Sequence, residues 1–183
     1  MTIDDAPAGT RAFTPRRPDP LPTPVPYDPA LEPALAGFLD LVERIPLRAD
    51  TILVNRAHFG SIMPPLEVMV AGQPVTITEH LAPGPEGAPE VAITVIEPAD
   101  PARPGVKRPG FYGIHGGGMV LGNRYFGVAG LVEYVLQFGV VAASVEYRLA
   151  PDHPAPAQAE DCYAGLVWFA SQAEEFGIDP EKV

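Results

Sequence analysis

The stretch Phe111-Tyr112-Gly113-Ile114-His115-Gly116-Gly117-Gly118 decides how this chain is read. A short apolar run stops at a histidine and three consecutive glycines. Each glycine can take positive φ and bring its amide to a ligand with no side chain between. Such a loop can aim two N–H groups at one point, which suits an anion. A dinucleotide site would need G-x-G-x-x-G with an acidic residue about twenty positions on, and here Leu121 follows Gly116 and Gly118 where the third glycine belongs. A phosphate-cradling loop would need Gly-Lys-Ser/Thr, which the sequence lacks. What remains is an oxyanion hole, in which amides stabilise charge developing on a carbonyl oxygen during acyl transfer. A tight turn that binds nothing stays open on the glycines alone.

Downstream of the glycines, Tyr125 to Phe138 has helical character and Val140 to Val145 reads as a β-branched and small-residue strand. From Pro156 a helix runs through Tyr163, Leu166, Val167 and Phe169, and Gly177 is expected to end it. Strand, helix, strand, helix with nearly continuous apolar strands implies an α/β fold with a mostly parallel sheet flanked by helices. Asp179-Pro180 turns the chain, and Val183 reads as the first residue of a further buried strand. Upstream, Val75–Thr78 and Val91–Ile96, joined by the turn-rich segment 82–89, read as an antiparallel pair. Further upstream, Leu31, Leu35, Phe38, Val42 and Ile45 fall on one helical stripe that Pro46 closes. A second helix is expected from Asp50, as its cap, to Ile62, where Pro64 and Pro65 stop it. Residues 15–29 alternate prolines with other residues, which favours extended polyproline II. The expected organisation is a Pro-rich flexible arm over 1–27, a helical segment over 28–65 and an α/β core over 66–183.

The chain's 183 residues carry 12 Lys plus Arg against 23 Asp plus Glu, a net charge of −11. That balance argues against nucleic acid, whose phosphates demand a basic surface. No window approaches 18 uninterrupted apolar residues and the N-terminus has no basic-then-apolar pattern, so no membrane span and a cytoplasmic location are expected. Cys162 is the single cysteine, which excludes a disulfide framework and a thiolate metal cage.

Three blocks carry a resemblance: His115-Gly116-Gly117-Gly118-Met119-Val120-Leu121-Gly122, then Glu146-Tyr147-Arg148-Leu149-Ala150-Pro151-Asp152-His153-Pro154-Ala155-Pro156-Ala157, then Glu160-Asp161-Cys162-Tyr163. In order and spacing these resemble the hormone-sensitive-lipase-like branch of the α/β-hydrolases, over about residues 108–183. The helices at 28–62 resemble that family's N-terminal cap more weakly. The resemblance implies an esterase acting on small-molecule carboxylic esters without metal or cofactor. Gly117 and Gly118 would supply oxyanion amides, with Gly116 shaping the turn, and His115 would support the loop. Tyr147 and Arg148 would be structural. A guanidinium at a strand end needs a buried carboxylate, and Asp161 is the expected partner of Arg148. The match departs at Met119, where the family often carries an aromatic.

In that family the nucleophile is a serine on a G-x-S-x-G elbow, followed in the chain by the acid and the histidine base. Of the three serines, Ser61 sits in F-G-S-I-M, Ser144 in A-A-S-V-E and Ser171 in F-A-S-Q-A, so none has the flanking glycines. Cys162 reads as a buried helix residue, His58 and His80 as surface or cap residues, and His153 as part of a structural turn. The nucleophile, acid and base are therefore expected after Val183, and the chain as the first half of the core, ending before the elbow. Two alternatives remain: a non-catalytic hydrolase-like module that binds small molecules, and an inactive truncated product. A sheet ending at an open apolar edge predicts association with a second copy or with the missing half.

Overall fold

A computed structural model describes residues 28–41, 45, 47–100, 102 and 105–183. The expected arm over 1–27 lies outside these. The chain divides into two compact units, Met1–Arg44 and Ile45–Val183. The first contains α1, Glu32–Leu41. The second opens with α2, Ile52–Ile62, and α3, Leu66–Met69. Thr51, not Asp50, holds the position before α2, and its hydroxyl turns back to Arg48, accepting from the amide at 2.9 Å and donating to the carbonyl at 3.2 Å. Pro64 and Pro65 end α2 as expected, and Pro65 also precedes the short α3, which the sequence reading does not anticipate. A proline lacks only an amide that a first helical turn leaves free. Its carbonyl accepts from Val68 and Met69 at 3.0 and 3.1 Å.

The sheet contains β1 (Val75–Ala82), β2 (Val91–Pro98), β3 (Gly110–Ile114) and β4 (Val141–Val145), in the order β1-β2-β4-β3. β1 pairs with β2 antiparallel, as the hairpin reading expects, and extends beyond Thr78 because Glu79 and His80 continue the register opposite Thr94 and Ile93. β2 and β4 are antiparallel and β3 and β4 parallel, so the described sheet is mixed, with its parallel part on the glycine-loop side. Two helices cover it: α4, Val128–Phe138, and α5, Ala157–Ser171. α4 starts three residues later than its apolar pattern suggests, because Gly127 sits at φ 96, outside the helical region. Asn123 Oδ1 accepts from the Tyr125 amide at 2.9 Å and holds the preceding turn. No helix among the described residues is long and apolar enough to cross a membrane.

Side-chain alternation assigns each face. Val91, Ile93, Val95, Val141, Ala143 and Val145 cluster with Phe169 and Ile178 on the α5 side, while Ile96 and Ala142 cluster with Val128, Val132 and Val135 of α4. All five residues of β4 are buried, and its small Ala142, Ala143 and Ser144 leave room for helices on both faces. The buried stripe of α5 is Ala157, Gln158, Asp161, Gly165 and Phe169, whereas Tyr163 and Val167 face outward at 69% and 51% exposure. The helix stops at Ser171, and turn residues lead on to Gly177, which at φ 63 reverses the chain. The Gly110 amide then donates to Lys182 O at 2.8 Å, so the chain runs along the open side of β3 as it reaches Val183, although no strand forms there.

Gly165 lets α5 approach the sheet: a Cβ there would lie 2.3 Å from the Tyr112 hydroxyl and 3.3 Å from Ile93 and Val145. That hydroxyl donates to Cys162 O at 3.0 Å. Gly165→Ala should therefore push the helix outward and cost about 1–3 kcal/mol, read as a lower urea midpoint with an unchanged slope. Unchanged stability would mean that this contact does not set the helix position.

Candidate active site

The glycine loop leaves β3 at His115 and returns at Gly122. Gly117 (φ 122), Gly118 (φ 63) and Gly122 (φ 92) all lie in the left-handed half of backbone space. A Cβ on Gly117 would fall 2.1 Å from Leu121 O, and one on Gly122 2.6 Å from both Gly116 O and His115 Nδ1, so the loop closes too tightly for side chains there. Val120 and Leu121 amides donate to Gly117 O at 3.2 and 3.0 Å, which defines the turn. Met119 is the one described non-glycine residue at positive φ, 64°. Among the described residues, the Gly117 and Gly118 amides donate to no protein acceptor.

His115 is buried and stacks on Tyr147, with ring centroids 4.1 Å apart and planes 10° from parallel. Its Nδ1 lies 2.8 Å from Gly116 O. A carbonyl only accepts, so Nδ1 carries the proton and the ring fixes the first glycine's peptide plane. Its Nε2 is buried without a partner among the described residues. The Tyr147 hydroxyl donates to His115 O at 2.8 Å. Burial pushes the Tyr147 pKa up, so this donor keeps its proton throughout the neutral range.

Tyr147 and Arg148 follow β4, and Asp161 lies one turn into α5 within its buried stripe. Asp161 is 2% exposed and accepts three bonds from Arg148: the amide at 2.9 Å and Nε at 2.8 Å on Oδ2, and a terminal nitrogen at 2.8 Å on Oδ1. The hydrogen bonds to Asp161 hold the guanidinium pKa above its ordinary value. The structure thus brings all seven residues singled out in the sequence (His115, Gly116, Gly117, Gly118, Tyr147, Arg148 and Asp161) to one loop and its supports. Beside the loop is a cavity of about 490 Å³ lined by Ile114, His115, Gly118, Met119, Tyr147 and Cys162 among others.

Two arginines that carry no sequence motif also converge here. Arg124 bonds Glu79, Thr94, Glu146 and the Tyr125 hydroxyl, while the Ser144 hydroxyl donates to Arg124 O at 2.6 Å. Burial pulls the Arg124 pKa down, but its anionic neighbours, Glu79 foremost, outweigh this and raise it. Arg56 of α2 reaches Val120 O, Ala150 O and Asp152. Neither shows a local pattern, because most of their partners lie tens of positions away. Ser61 and Ser171 hydroxyls, like that of Ser144, donate to backbone carbonyls. His80, expected at the surface or in the cap, is a β1 residue packed against Trp168 and Phe176, 5.2 and 5.4 Å between centroids.

Removing one partner of a buried pair strands the other, so Arg148→Met should cost about 3–5 kcal/mol and loosen residues 148–156, measured by urea denaturation and amide exchange. Burial, reinforced by the Asp161 carboxylate, pushes the Cys162 thiol up to about 11. Iodoacetamide labelling at pH 8 should therefore run about a hundredfold slower than for an ordinary thiol, since only the thiolate reacts. The rate should climb about tenfold per pH unit towards pH 10. Fast labelling at pH 8 would contradict the environment described.

Residues 111–183 match a family model described as alpha/beta hydrolase fold. The chain is 38% identical over 136 residues to the carboxylic ester hydrolase LipN of Mycobacterium tuberculosis, covering 73% of this chain and 34% of the relative. It is 30% identical over 155 residues to the carboxylesterase NlhH of the same species, covering 85% and 46%. Among solved structures it superposes on a bacterial heroin esterase with a TM-score of 0.69 at 34% identity, covering 82% of this chain and 46% of that one. The chain thus spans half or less of the length of these relatives. The family match, which runs from β3 through the glycine loop to Val183, and these ester-hydrolase relatives bear out the chain's resemblance to the hormone-sensitive-lipase-like branch of the α/β-hydrolases.

Proposed function

We propose that this chain is the N-terminal part of a carboxylic ester hydrolase and supplies the oxyanion loop for acyl transfer. The observation that carries the reading is the pair of Gly117 and Gly118 amides, held in a closed turn with no protein acceptor among the described residues. An ester carbonyl placed there would gain hydrogen bonds as its oxygen becomes anionic, which lowers the barrier to attack. The attacking group is a serine beyond Val183, with a histidine as base and a carboxylate orienting it. The amide after that serine completes the hole. His115, Tyr147, Arg148 and Asp161 hold the loop and take no part in proton transfer. Residues 28–65 form the cap segment in this proposal, the substrate is a small ester, and the protein works in the cytoplasm.

The test uses p-nitrophenyl butyrate. The 183-residue chain should give no turnover above background, whereas a product extended through a glycine-flanked serine, an acid and a histidine should hydrolyse it. In that product Gly117→Ala should lower kcat about a hundredfold, because the added methyl displaces the turn. Serine-dependent hydrolysis by the 183-residue chain would refute the assignment. So would a reading frame that closes without such a serine.

A further inference from the structure

We infer that Arg56 is a positioning residue for the oxyanion loop, an inference that rests on the ester-hydrolase reading. One guanidinium binds three acceptors on two separate segments. Its Nε donates to Val120 O at 2.7 Å, and its terminal nitrogens donate to Ala150 O and the Asp152 carboxylate. The same two segments are joined by the Ala150 amide, which donates to Met119 O at 2.9 Å. Arg56 therefore braces Met119 from both sides, through the next peptide and through the residue that binds its carbonyl.

That brace falls where the loop needs one. Met119 holds a φ of 64°, a conformation that non-glycine residues keep only when their surroundings impose it. Met119 directly follows Gly118, and the Leu121 amide, which shares a peptide plane with Val120 O, donates to Gly117 O at 3.0 Å. The orientation of the Val120 peptide is thus coupled to the direction of the two glycine amides. The Asp152 contact carries less of the effect. Asp152 is 53% exposed, and exposed ion pairs contribute little. The two carbonyl bonds set the geometry, and α2 is the rigid element from which they are made.

Arg56→Ala, Arg56→Lys and Asp152→Asn separate these contributions. In the 183-residue chain, amide exchange at Val120 and Leu121 should accelerate at least about tenfold in Arg56→Ala. Arg56→Lys, whose ammonium is a compact donor, should be intermediate, and Asp152→Asn should match the parent. Amides of β2 and α5 should be unaffected in all three. An unchanged loop in Arg56→Ala, a uniform acceleration over the whole chain, or an Asp152→Asn variant that reproduces Arg56→Ala would each overturn the proposal. In the extended product, Arg56→Ala should lower kcat about tenfold to a hundredfold with KM within about threefold, and added methylguanidinium should restore part of it. An active extended product whose kcat ignores Arg56 would also overturn it. If the extended product hydrolyses no ester with Arg56 intact, the ester-hydrolase reading fails, and the exchange measurement still decides the role of Arg56 in the loop.

Discussion

Asp161 is a carboxylate on the buried stripe of α5, and the surrounding architecture depends on its being satisfied. An ionised group at 2% exposure is costly unless its lone pairs are matched. The chain meets this with three donors from a single residue, Arg148, two from the guanidinium and one from the backbone. The backbone bond matters for shape, since it fixes where the chain goes as it leaves β4. Tyr147, one residue earlier, is then held so that its hydroxyl reaches His115 O and its ring stacks on the imidazole. The connection therefore runs from a helix, through a buried ion pair and an aromatic stack, to the first residue of the glycine loop.

The loop is thus defined at both ends by different physics. At its start, His115 is clamped by stacking and by hydrogen bonds to backbone carbonyls. Towards its end, Gly122 has no room for a side chain because His115 Nδ1 and Gly116 O lie against it. Between these points, glycine freedom would leave the turn free to adopt several conformations. The external bonds from Arg56 and Ala150 select one. Arg124 plays a similar part just downstream, anchoring the turn before α4 to Glu79 of β1 and to Glu146 beyond β4.

How much of this is legible in the sequence depends on separation along the chain. The β1–β2 hairpin, the β3–loop–α4–β4 unit and α5 are legible because period and breakers are local signals. The Arg148–Asp161 pair is legible because its members are 13 positions apart in two adjacent recognised blocks. Arg56 is not, because its acceptors are 64, 94 and 96 positions away and two of them are carbonyls that any residue could supply. The end of α5 escapes a sequence reading because Gly177 announces a reversal without saying how many turn residues precede it. The outward placement of Tyr163 and Val167 escapes it because the buried stripe is built from Gly165 and Asp161, which hydrophobicity does not mark.

The two arginine anchors near the loop should differ in what they control. Arg148 neutralises a buried carboxylate, so its loss is felt as stability of the whole β4–α5 connection. Arg56 meets a carboxylate that is half exposed, and water can replace that contact at small cost. Its hydrogen bond holds the Asp152 carboxyl below the usual carboxylate range. For a depressed acid, the associated stabilisation is complete above its unfolded pKa and disappears only as the pH falls through the depressed value. Across the neutral range the ion pair is therefore constant and contributes no pH response to the loop. What Arg56 adds there is directional: two donors fixed on a helix, facing two carbonyls that flank a backbone strained at Met119. A residue of that kind can leave the global fold almost unchanged when removed and still alter where two amides point, which is the property that acyl transfer is most sensitive to.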